Sequence, residues 1–388
     1  MGFFNQILIF FQFLVAVAVA TAHLLLGGTT SLSITSPLPS PPATTTIAAS
    51  TKSTSTTTSL KSAAIKPAPK TATTLPNVSA VATTPPPQQP IAAQSAEEVN
   101  ANTRASLVNI LCTTAAGGSF APISGSGVII DSRGIVLTNA HVGQFFLLRD
   151  YGAPGNINCI LRTGSPAQAA YTAELLYLPP VWIDANVSEI NSQHATGTGE
   201  NDYSFLRITG TTGPGITLPA SFPALAMTAT TPDDGDQMLL AAYPAGFFGG
   251  ETIQLNLYIT SAIAVVQQLY TYNDPTHVDA IDVGGTVVSQ SGASGGAVVR
   301  LTDGPSHQGG AEAGKLVGII STDTASSTTA GRELDAITIA HIDRSLADEG
   351  QGGIVQLLTG DLAVKAANFA TTTAPSETKK LEDVLNKQ

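Results

Sequence analysis

The stretch GSGVIIDSRGIVLTNAHV, residues 125–142, decides the fold. Two short apolar runs, Val128–Ile130 and Ile135–Leu137, lie on either side of the polar tetrapeptide Asp131–Gly134. Short runs rich in β-branched residues around a glycine-containing turn predict a β-hairpin. The hairpin is followed directly by His141. The segment therefore predicts antiparallel β-structure with a titratable side chain just beyond a strand.

The same pattern of short apolar runs between turn residues continues from residue 107 to residue 345. No alternation of strands and helices is visible, which argues against a parallel α/β sheet. Many short strands at this spacing are typical of an all-β sandwich or barrel. The further runs that predict strands are Leu107–Leu111, Tyr203–Ile208, Gln237–Ala242, Thr252–Ala264, Val278–Val283, Ala297–Leu301, Leu316–Ser321 and Ala336–Ala340.

The N-terminal quarter of the chain has a different character. Ile7–Leu26 is an apolar run long enough to span a bilayer, and no basic residue precedes it. Residues 1–28 are therefore expected to form an apolar helix, either a transmembrane anchor or a cleaved signal peptide. Residues 29–94 consist mostly of Thr, Ser, Pro and Ala, and such a segment predicts a disordered linker. Both alternatives imply an extracytoplasmic protein, secreted or membrane-anchored.

Ordered structure is expected to begin near residue 95. The pattern Ser95-x-x-Glu98 predicts a capping box that opens a short helix. One folded domain is predicted over residues 95–350, with a short helix within Ile342–Leu358. Residues 351–388 are predicted to be a polar C-terminal tail with a helix at Glu377–Asn386.

Composition limits the partners. The chain has 28 acidic and 17 basic residues and a formal net charge of −11, so nucleic acid is not an expected partner. The two cysteines, Cys112 and Cys159, are too few to build a zinc site by themselves, and the histidines lack metal-site spacing. No metal and no cofactor is expected. The cysteines could form one disulfide in an oxidising compartment.

Three local signals could carry chemistry. They are His141 after the hairpin, Asp202 at the start of the apolar run Tyr203–Ile208, and Ser294 in the glycine-rich turn SGASGGAVV of residues 291–299. A serine hydroxyl is a weak nucleophile and needs a base such as histidine. A buried carboxylate fixes the tautomer of that histidine and stabilises its cation. The backbone N–H groups of Gly292 and Ser294 could hold a developing oxyanion.

The three segments resemble those of the chymotrypsin/trypsin-like serine proteases, especially the bacterial Deg/HtrA-like branch. T-N-A-H-V at Thr138–Val142 is similar to the family's T-A-A-H motif. N-D-Y-S-F-L at Asn201–Leu206 is similar to D-[IL]-A-L-L, and G-A-S-G-G-A at Gly292–Ala297 to G-[DN]-S-G-G-[PAG]. The order His, Asp, Ser is also that of the family.

The resemblance implies two antiparallel six-stranded β-barrels, over residues 105–215 and 216–345, with a triad of His141, Asp202 and Ser294 between them. It implies a serine endopeptidase that acts on proteins or peptides through an acyl-enzyme. Activity should then fall as the pH drops through the pKa of His141, since the base must be neutral. The oligomeric state is left open.

The resemblance also suggests a substrate pocket and the pairing of the cysteines. The base of the pocket would lie six residues before the nucleophile. One wall of the pocket would come from the strand that follows the nucleophile strand. An apolar base predicts cleavage after small or medium apolar residues. Family members often tie the chain together around the histidine, which suggests a Cys112–Cys159 disulfide. The pocket residues would be Val288, Ser321, Thr322 and Asp323.

Two features depart from the family pattern. Ala293 stands where zymogens carry an aspartate that receives a newly cut N-terminus, so that activation switch is not expected. No peptide-binding domain follows the protease region, so chaperone behaviour is not expected either.

Other interpretations stay open at this point. Gly292–Gly296 also fits G-x-S-x-G, the nucleophile elbow of α/β-hydrolase esterases, which requires a helix after the serine. A protease fold without activity, used as a binding module, and a purely structural stalk protein are the further alternatives. Asp184 and Asp236 compete for the role of the acid. The histidines without motif context are His194, His277, His307 and His341.

Overall fold

The computed structural model describes residues 94–114, 122–190, 192, 198–246, 250–301, 312–323 and 334–387. The expected N-terminal apolar helix and nearly all of the expected linker lie outside these residues and stay predictions. Within the described ranges, none of the helices combines the length and the apolar character that a bilayer crossing requires.

The first sheet is a closed antiparallel barrel in the order β1-β2-β3-β6-β5-β4. Its predicted hairpin is confirmed, because Val128 faces Leu137 and the Gly134 N–H donates to the Asp131 carbonyl at 2.9 Å. Closure between the first and fourth strands leaves no free sheet edge. The strands are β1 Leu107–Thr114, β2 Ile123–Asp131, β3 Ile135–Thr138, β4 Ile157–Thr163, β5 Gln168–Tyr177 and β6 Ser204–Thr211.

The second sheet has seven antiparallel strands in the order β8-β7-β11-β12-β13-β10-β9. The predicted all-β, chymotrypsin-like class with two antiparallel sheets is therefore confirmed, with seven strands here in place of six. Its strands are β7 Gln237–Ala242, β8 Thr260–Val265, β9 Gln268–Tyr270, β10 Ala280–Asp282, β11 Ala297–Arg300, β12 Leu316–Asp323 and β13 Leu334–Thr338.

The run Thr252–Ala264 was predicted as one strand, and this prediction is wrong in its first half. A short helix covers Gly250–Leu255, and β8 begins only at Thr260. Arg162 of the first barrel donates to the carbonyls of Ile253 and Gln254 at 3.0 and 2.9 Å. A tertiary contact thus satisfies carbonyl groups that the end of a helix leaves unpaired.

The helix at the start of the domain is the one that the capping box predicted. The Glu98 N–H donates to Ser95 Oγ at 3.2 Å, and the Ser95 N–H donates to Glu98 Oε2 at 2.8 Å. The helices are α1 Ala96–Ala105, α2 Ala140–Gly143, α3 Pro180–Asn186, α4 Gly250–Leu255, α5 Ile339–Asp348, α6 Gly353–Leu357, α7 Leu362–Thr372 and α8 Ala374–Leu385, with 3₁₀ turns at Gln144–Phe146 and Val187–Glu189.

The segment after residue 350 is not the polar tail that the sequence suggested. It forms α6, α7 and α8, the last of which confirms the helix predicted at Glu377–Asn386. Leu362, Phe369 and Leu381 are buried in the same hydrophobic core as the first barrel. The buried residues of α7 recur every three or four positions, so one face of this helix is apolar and packs on β5 and β6 of the barrel, whereas α8 packs on α3.

The predicted disulfide is confirmed. Cys112 and Cys159 face each other across β1 and β4, the strands whose pairing closes the first barrel. The bond spans 47 residues of sequence. The loop-closure entropy that it removes from the unfolded chain corresponds to about 4 kcal/mol of stability.

Candidate active site

Two neighbouring strands of the first barrel bring His141 and Asp202 together. Strand β3 ends at Thr138, which pairs with Ser204 of β6, so the residues next to these strand ends are neighbours. His141 lies in α2 just after β3, and Asp202 lies just before β6. The buried side chain of Asn139 donates to the Asp202 carbonyl at 2.8 Å and joins the two segments.

The two side chains form a tight pair. His141 Nδ1 lies 2.8 Å from Asp202 Oδ2, and the backbone N–H of His141 donates to Asp202 Oδ1 at 2.9 Å. The Asp202 side chain is 6% exposed and the His141 side chain 35%. With Nδ1 protonated and bound to the carboxylate, Nε2 is left as the basic atom of a half-exposed ring.

The environment of His141 raises its pKa above the ordinary value. Burial opposes the charged form, but the charge of Asp202 and the hydrogen bond to it favour the imidazolium more strongly. The pair therefore favours proton uptake by His141, which a general base requires.

Ser294 comes from the second sheet and lies in the same cavity as the pair. This cavity has a volume of about 570 Å³, and its lining includes His141, Asp202, Gly292, Ser294 and Ser321. The Ser294 hydroxyl donates to the Ser321 carbonyl at 3.5 Å, and among the described residues it has no hydrogen bond to His141. The structure thus collects the three predicted residues in one cleft, with the serine hydroxyl turned towards β12.

The backbone around Ser294 leaves two N–H groups without a protein acceptor. The Ala293 N–H donates to the Gln290 carbonyl at 3.0 Å, whereas the N–H groups of Gly292 and Ser294 have no acceptor within the described part of the chain. These are the two donors that the sequence predicted for an oxyanion. Two neighbouring free amides at a nucleophile are the arrangement that stabilises a tetrahedral intermediate.

Glycine is required on both sides of the serine. Gly292 has φ +89°, and a Cβ there would lie 2.9 Å from the Tyr243 carbonyl oxygen. Gly295 has φ +81°, and a Cβ there would lie 2.1 Å from the Ser126 carbonyl oxygen. Both left-handed conformations and both close approaches exclude larger residues.

Ser126 positions this turn, and sequence analysis did not assign it a role. The Ser126 hydroxyl donates to the Gly292 carbonyl at 2.7 Å, and its backbone N–H donates to the Ser294 carbonyl at 2.8 Å. The same hydroxyl accepts the Tyr243 N–H at 2.9 Å. The first barrel therefore holds the serine turn of the second sheet. The position of Ser126 between two glycines was the available signal.

Ser321 was predicted as a pocket wall and has a second contact that the sequence did not reveal. Its hydroxyl donates to Asp202 Oδ2 at 3.0 Å, the oxygen that also binds His141. Ser321 is buried at the cavity. It thereby connects β12 to the carboxylate from the first barrel.

The remaining predicted pocket residues are less well placed. Val288 is fully buried in the hydrophobic core of the second sheet, and it does not line the cavity. The apolar residues in the cavity lining are instead Pro122, Ile123, Val142, Phe145, Trp182, Ile190, Ala293, Ile320 and Leu334. The side chains of Thr322 and Asp323 lie outside the described residues.

The competing residues occupy other environments. Asp236 forms a buried ion pair with Arg300 at 2.7 Å, and Asp184 pairs with Lys380. His277 lies near Asp274 at an exposed position. His194 and His307 lie outside the described residues.

The alternative chemistries lack structural support in this site. The nucleophile elbow of an esterase leads into a helix, whereas the serine turn here leads into strand β11. Within the described residues, no group of three or more His, Cys, Asp or Glu side chains is suited to a metal ion.

Comparisons with known proteins show which protein family this domain resembles. A model of the trypsin-like peptidase domain family matches residues 125–305, a range that contains His141, Asp202 and Ser294. Among curated proteins, none matches this chain in sequence.

Solved structures of proteases are also similar. The active form of the Rv3671c protease from M. tuberculosis is 19% identical, with 64% of this chain and 82% of that chain covered and a TM-score of 0.38. The HtrA-type protease AlgW with a decapeptide is 17% identical, with 67% and 69% covered and a TM-score of 0.42. The serine endoprotease from Yersinia pestis is 18% identical, with 66% and 68% covered and a TM-score of 0.39.

The family match covers both halves of the cleft, from the hairpin before the histidine to the strand after the serine. Residues 125–305 of the chain match the trypsin-like peptidase domain family, and this match supports a serine endopeptidase.

Proposed function

We propose that the enzyme hydrolyses peptide bonds through a triad of Ser294, His141 and Asp202. One observation carries the proposal: the His141 ring is bound through Nδ1 to the buried Asp202 carboxylate in the cavity that also holds Ser294. That arrangement leaves His141 Nε2 as a base beside a nucleophile.

The proposed reaction has two halves. Ser294 Oγ leaves the Ser321 carbonyl, gives its proton to His141 Nε2 and attacks the substrate carbonyl carbon. The N–H groups of Gly292 and Ser294 donate to the resulting oxyanion. His141 returns the proton to the leaving amine as the peptide bond breaks, and an acyl-enzyme forms. Water, deprotonated by His141, then hydrolyses this ester and restores the Ser294 hydroxyl.

For specificity, we propose cleavage after small or medium apolar residues. The support is the apolar part of the cavity lining, to which Ile123, Phe145 and Trp182 contribute. Such a lining gains free energy from a buried apolar side chain. Of the two carboxylates in its described part, Asp202 already binds His141, which leaves Glu189 as the one possible counter-ion for Arg or Lys. Cleavage of a peptide library varied at this position tests it, and a strong preference for Arg or Lys would contradict it.

We further propose that the protein works outside the cytoplasm, secreted or tethered by its N-terminal apolar segment. The support is the Cys112–Cys159 disulfide, because such bonds persist mainly in oxidising compartments. Cell fractionation with thiol alkylation tests this, and a cytoplasmic protein with both thiols free would contradict it.

The decisive experiment is labelling of the full chain with a fluorophosphonate probe. We expect the wild type and Ser291→Ala to react, and Ser294→Ala and His141→Gln to lose the label. Ser291 is a matched control because it is a hydroxyl in the same turn. Retained labelling of Ser294→Ala would exclude Ser294 as the nucleophile.

The main alternative is a protease fold that binds peptides without cleaving them. It predicts a folded wild type, shown by a cooperative thermal transition, that neither reacts with the probe nor releases peptide fragments. The two free N–H groups of the serine turn argue against this alternative, because they are already available to an oxyanion.

A further inference from the structure

The two free N–H groups of the serine turn owe their direction to the carbonyl groups of the same turn. In a trans peptide unit, the C=O and the N–H point in opposite directions. The Ser291 carbonyl accepts the Ala245 N–H at 2.7 Å, so the Gly292 N–H of the same peptide unit points away from Ala245. If this unit turned over, a carbonyl oxygen would replace the donor and would repel an oxyanion.

The peptide unit that carries the Ser294 N–H is held in the same way. Its carbonyl, that of Ala293, accepts the Gly296 N–H at 2.8 Å. Between the two donor units lies the unit formed by Gly292 and Ala293, whose carbonyl accepts the Ser126 hydroxyl at 2.7 Å. Three consecutive peptide units of the turn therefore have a bound carbonyl.

Ser126 is the one of these three anchors that is a side chain. The other two are backbone N–H groups, which a change of side chain does not remove. Ser126 lies in β2 of the first barrel and is fully buried, and its own backbone N–H donates to the Ser294 carbonyl at 2.8 Å. Its hydroxyl oxygen accepts the Tyr243 N–H at 2.9 Å, which leaves the hydroxyl proton for the Gly292 carbonyl.

We infer that Ser126 is a positioning residue for the stabilisation of the oxyanion. Its hydroxyl fixes the peptide unit between the two donor units and thereby keeps the N–H groups of Gly292 and Ser294 free for the oxyanion. Ser126 touches no reacting group and acts through the Gly292 carbonyl. This role rests on the proposed acyl-transfer chemistry, since an oxyanion forms only when Ser294 attacks a carbonyl carbon.

Loss of the Ser126 hydroxyl would leave a buried carbonyl without a donor. Buried carbonyl groups are normally paired, so the peptide unit after Gly292 would rotate towards another donor. Gly292, at φ +89°, offers little resistance, because glycine has further backbone conformations within reach. Rotation of this unit would turn the neighbouring N–H groups away from the oxyanion. The transition state would lose stabilisation, whereas the bound substrate, which carries no oxyanion, would not.

The test compares Ser126→Ala with Ser106→Ala in the full chain. Ser106 is a matched control, because it is also a buried serine whose hydroxyl donates to a backbone carbonyl, that of Asn102 in helix α1. We expect Ser126→Ala to lower kcat for peptide hydrolysis about ten- to hundred-fold and to change KM less than about three-fold. Ser106→Ala should leave both constants unchanged.

A peptide boronic acid measures the oxyanion donors separately from substrate binding. Ser294 Oγ adds to its boron, and the product is a tetrahedral anion like the reaction intermediate. We expect Ser126→Ala to weaken this inhibitor by about the same factor as kcat/KM, because both depend on the transition-state interactions. A general loss of packing would instead raise KM as well.

Thermal transitions show whether each variant folds. If Ser126→Ala does not fold, Ser126→Cys replaces it, since a thiol is of similar size and a weaker donor, and a smaller loss of kcat in the same direction is expected. An unchanged kcat in the folded variant, or a rise in KM equal to the loss of inhibitor affinity, would overturn this role of Ser126 alone. A wild type without hydrolysis or fluorophosphonate labelling would contradict the proposed function, and this role with it.

Discussion

Among the described residues, two buried histidine–aspartate pairs are alike in sequence separation and in bond length. His141 and Asp202 are 61 residues apart and joined at 2.8 Å; His341 and Asp279 are 62 residues apart and joined at 2.9 Å. Yet only the first shares its cavity with Ser294. The hydrogen bond alone therefore does not bring a histidine–aspartate pair to Ser294.

Two physical differences separate the pairs. The His141 side chain is 35% exposed and the His341 side chain 10%. In each pair one further side chain donates to the carboxylate. It is the neutral hydroxyl of Ser321 in the first pair and the cationic Arg344 in the second. Burial disfavours the imidazolium in both pairs, but only His341 also meets the charge of Arg344, and the two pKa values move in opposite directions. The neighbouring charge thus distinguishes the two rings.

The largest expected contrast is between the two histidines. His141→Gln should lower kcat/KM by about a million-fold, because it removes the proposed base. His341→Gln should change kcat/KM by less than about ten-fold, because its ring contacts no reacting group. Peptide hydrolysis by purified variants measures both. A comparable loss in the two variants would remove the distinction.

Substitution of the two aspartates should have different effects, one on kcat and the other on stability. Asp202→Asn should lower kcat by about 10⁴-fold, because the amide no longer holds the reactive tautomer of His141. Asp279→Asn should lower the free energy of unfolding by about 3 kcal/mol, because it breaks the buried pairs with His341 and Arg344. Kinetics and urea unfolding measure the two effects. An Asp279→Asn protein of normal stability but low kcat would contradict this assignment.

The two rings should titrate on opposite sides of 6.5, the ordinary histidine pKa. Activity should fall as the pH drops through the raised pKa of His141. The stability that His141 contributes is present below pH 6.5 and is lost as the pH rises through its folded pKa. The contribution of His341 has the reverse sign, since its folded pKa is lowered, and it is lost as the pH falls below 6.5. Proton NMR of the ring Cε1–H signals measures both pKa values.

The control for this titration is Arg344→Met. Removing the guanidinium should raise the pKa of His341 and leave that of His141 unchanged, because Arg344 contacts only the Asp279 carboxylate of the two. Equal movement of both pKa values would contradict the explanation by local charge.

The smallest effect should come from Ser321→Ala. Loss of the hydroxyl removes one hydrogen bond from Asp202 Oδ2, so the carboxylate should attract the His141 proton more strongly. We expect the pKa of His141 to rise by less than about one unit, and kcat/KM to fall about ten-fold or less. The same NMR titration and peptide assay measure them. A lowered pKa of His141 would show that the hydroxyl acts in another way.

Local sequence patterns correctly predicted those structural features that depend on residues close in the sequence. The capping box at Ser95, the hairpin before His141 and the glycines around Ser294 are examples, because helix caps, tight turns and left-handed backbone depend on residues within a few positions. The order of the three motifs then predicted the fold class and which residues meet in the cleft.

Sequence patterns gave wrong predictions where contacts with a distant segment decide the local structure. The run Thr252–Ala264 was predicted as a strand, yet its first residues lie in the helix Gly250–Leu255, whose carbonyl groups bind Arg162 of the other sheet. The segment after residue 350 was predicted to be a polar tail, yet its apolar residues join the hydrophobic core of the first barrel. The packing of this segment could not be predicted from sequence patterns, because the surface on which it packs forms only when the first barrel closes.

What the sequence by itself determined is the set of residues that meet in the cleft, because the turns that present His141, Asp202 and Ser294 are local structures. What only the tertiary structure decided is the environment of each group. Ser126 and Ser321 reach the serine turn and Asp202 across the two sheets, and His341 meets Asp279 across 62 residues of chain. Burial, which lowers both histidine pKa values, and the Arg344 charge, which lowers only that of His341, are properties of the packed fold and of no single segment.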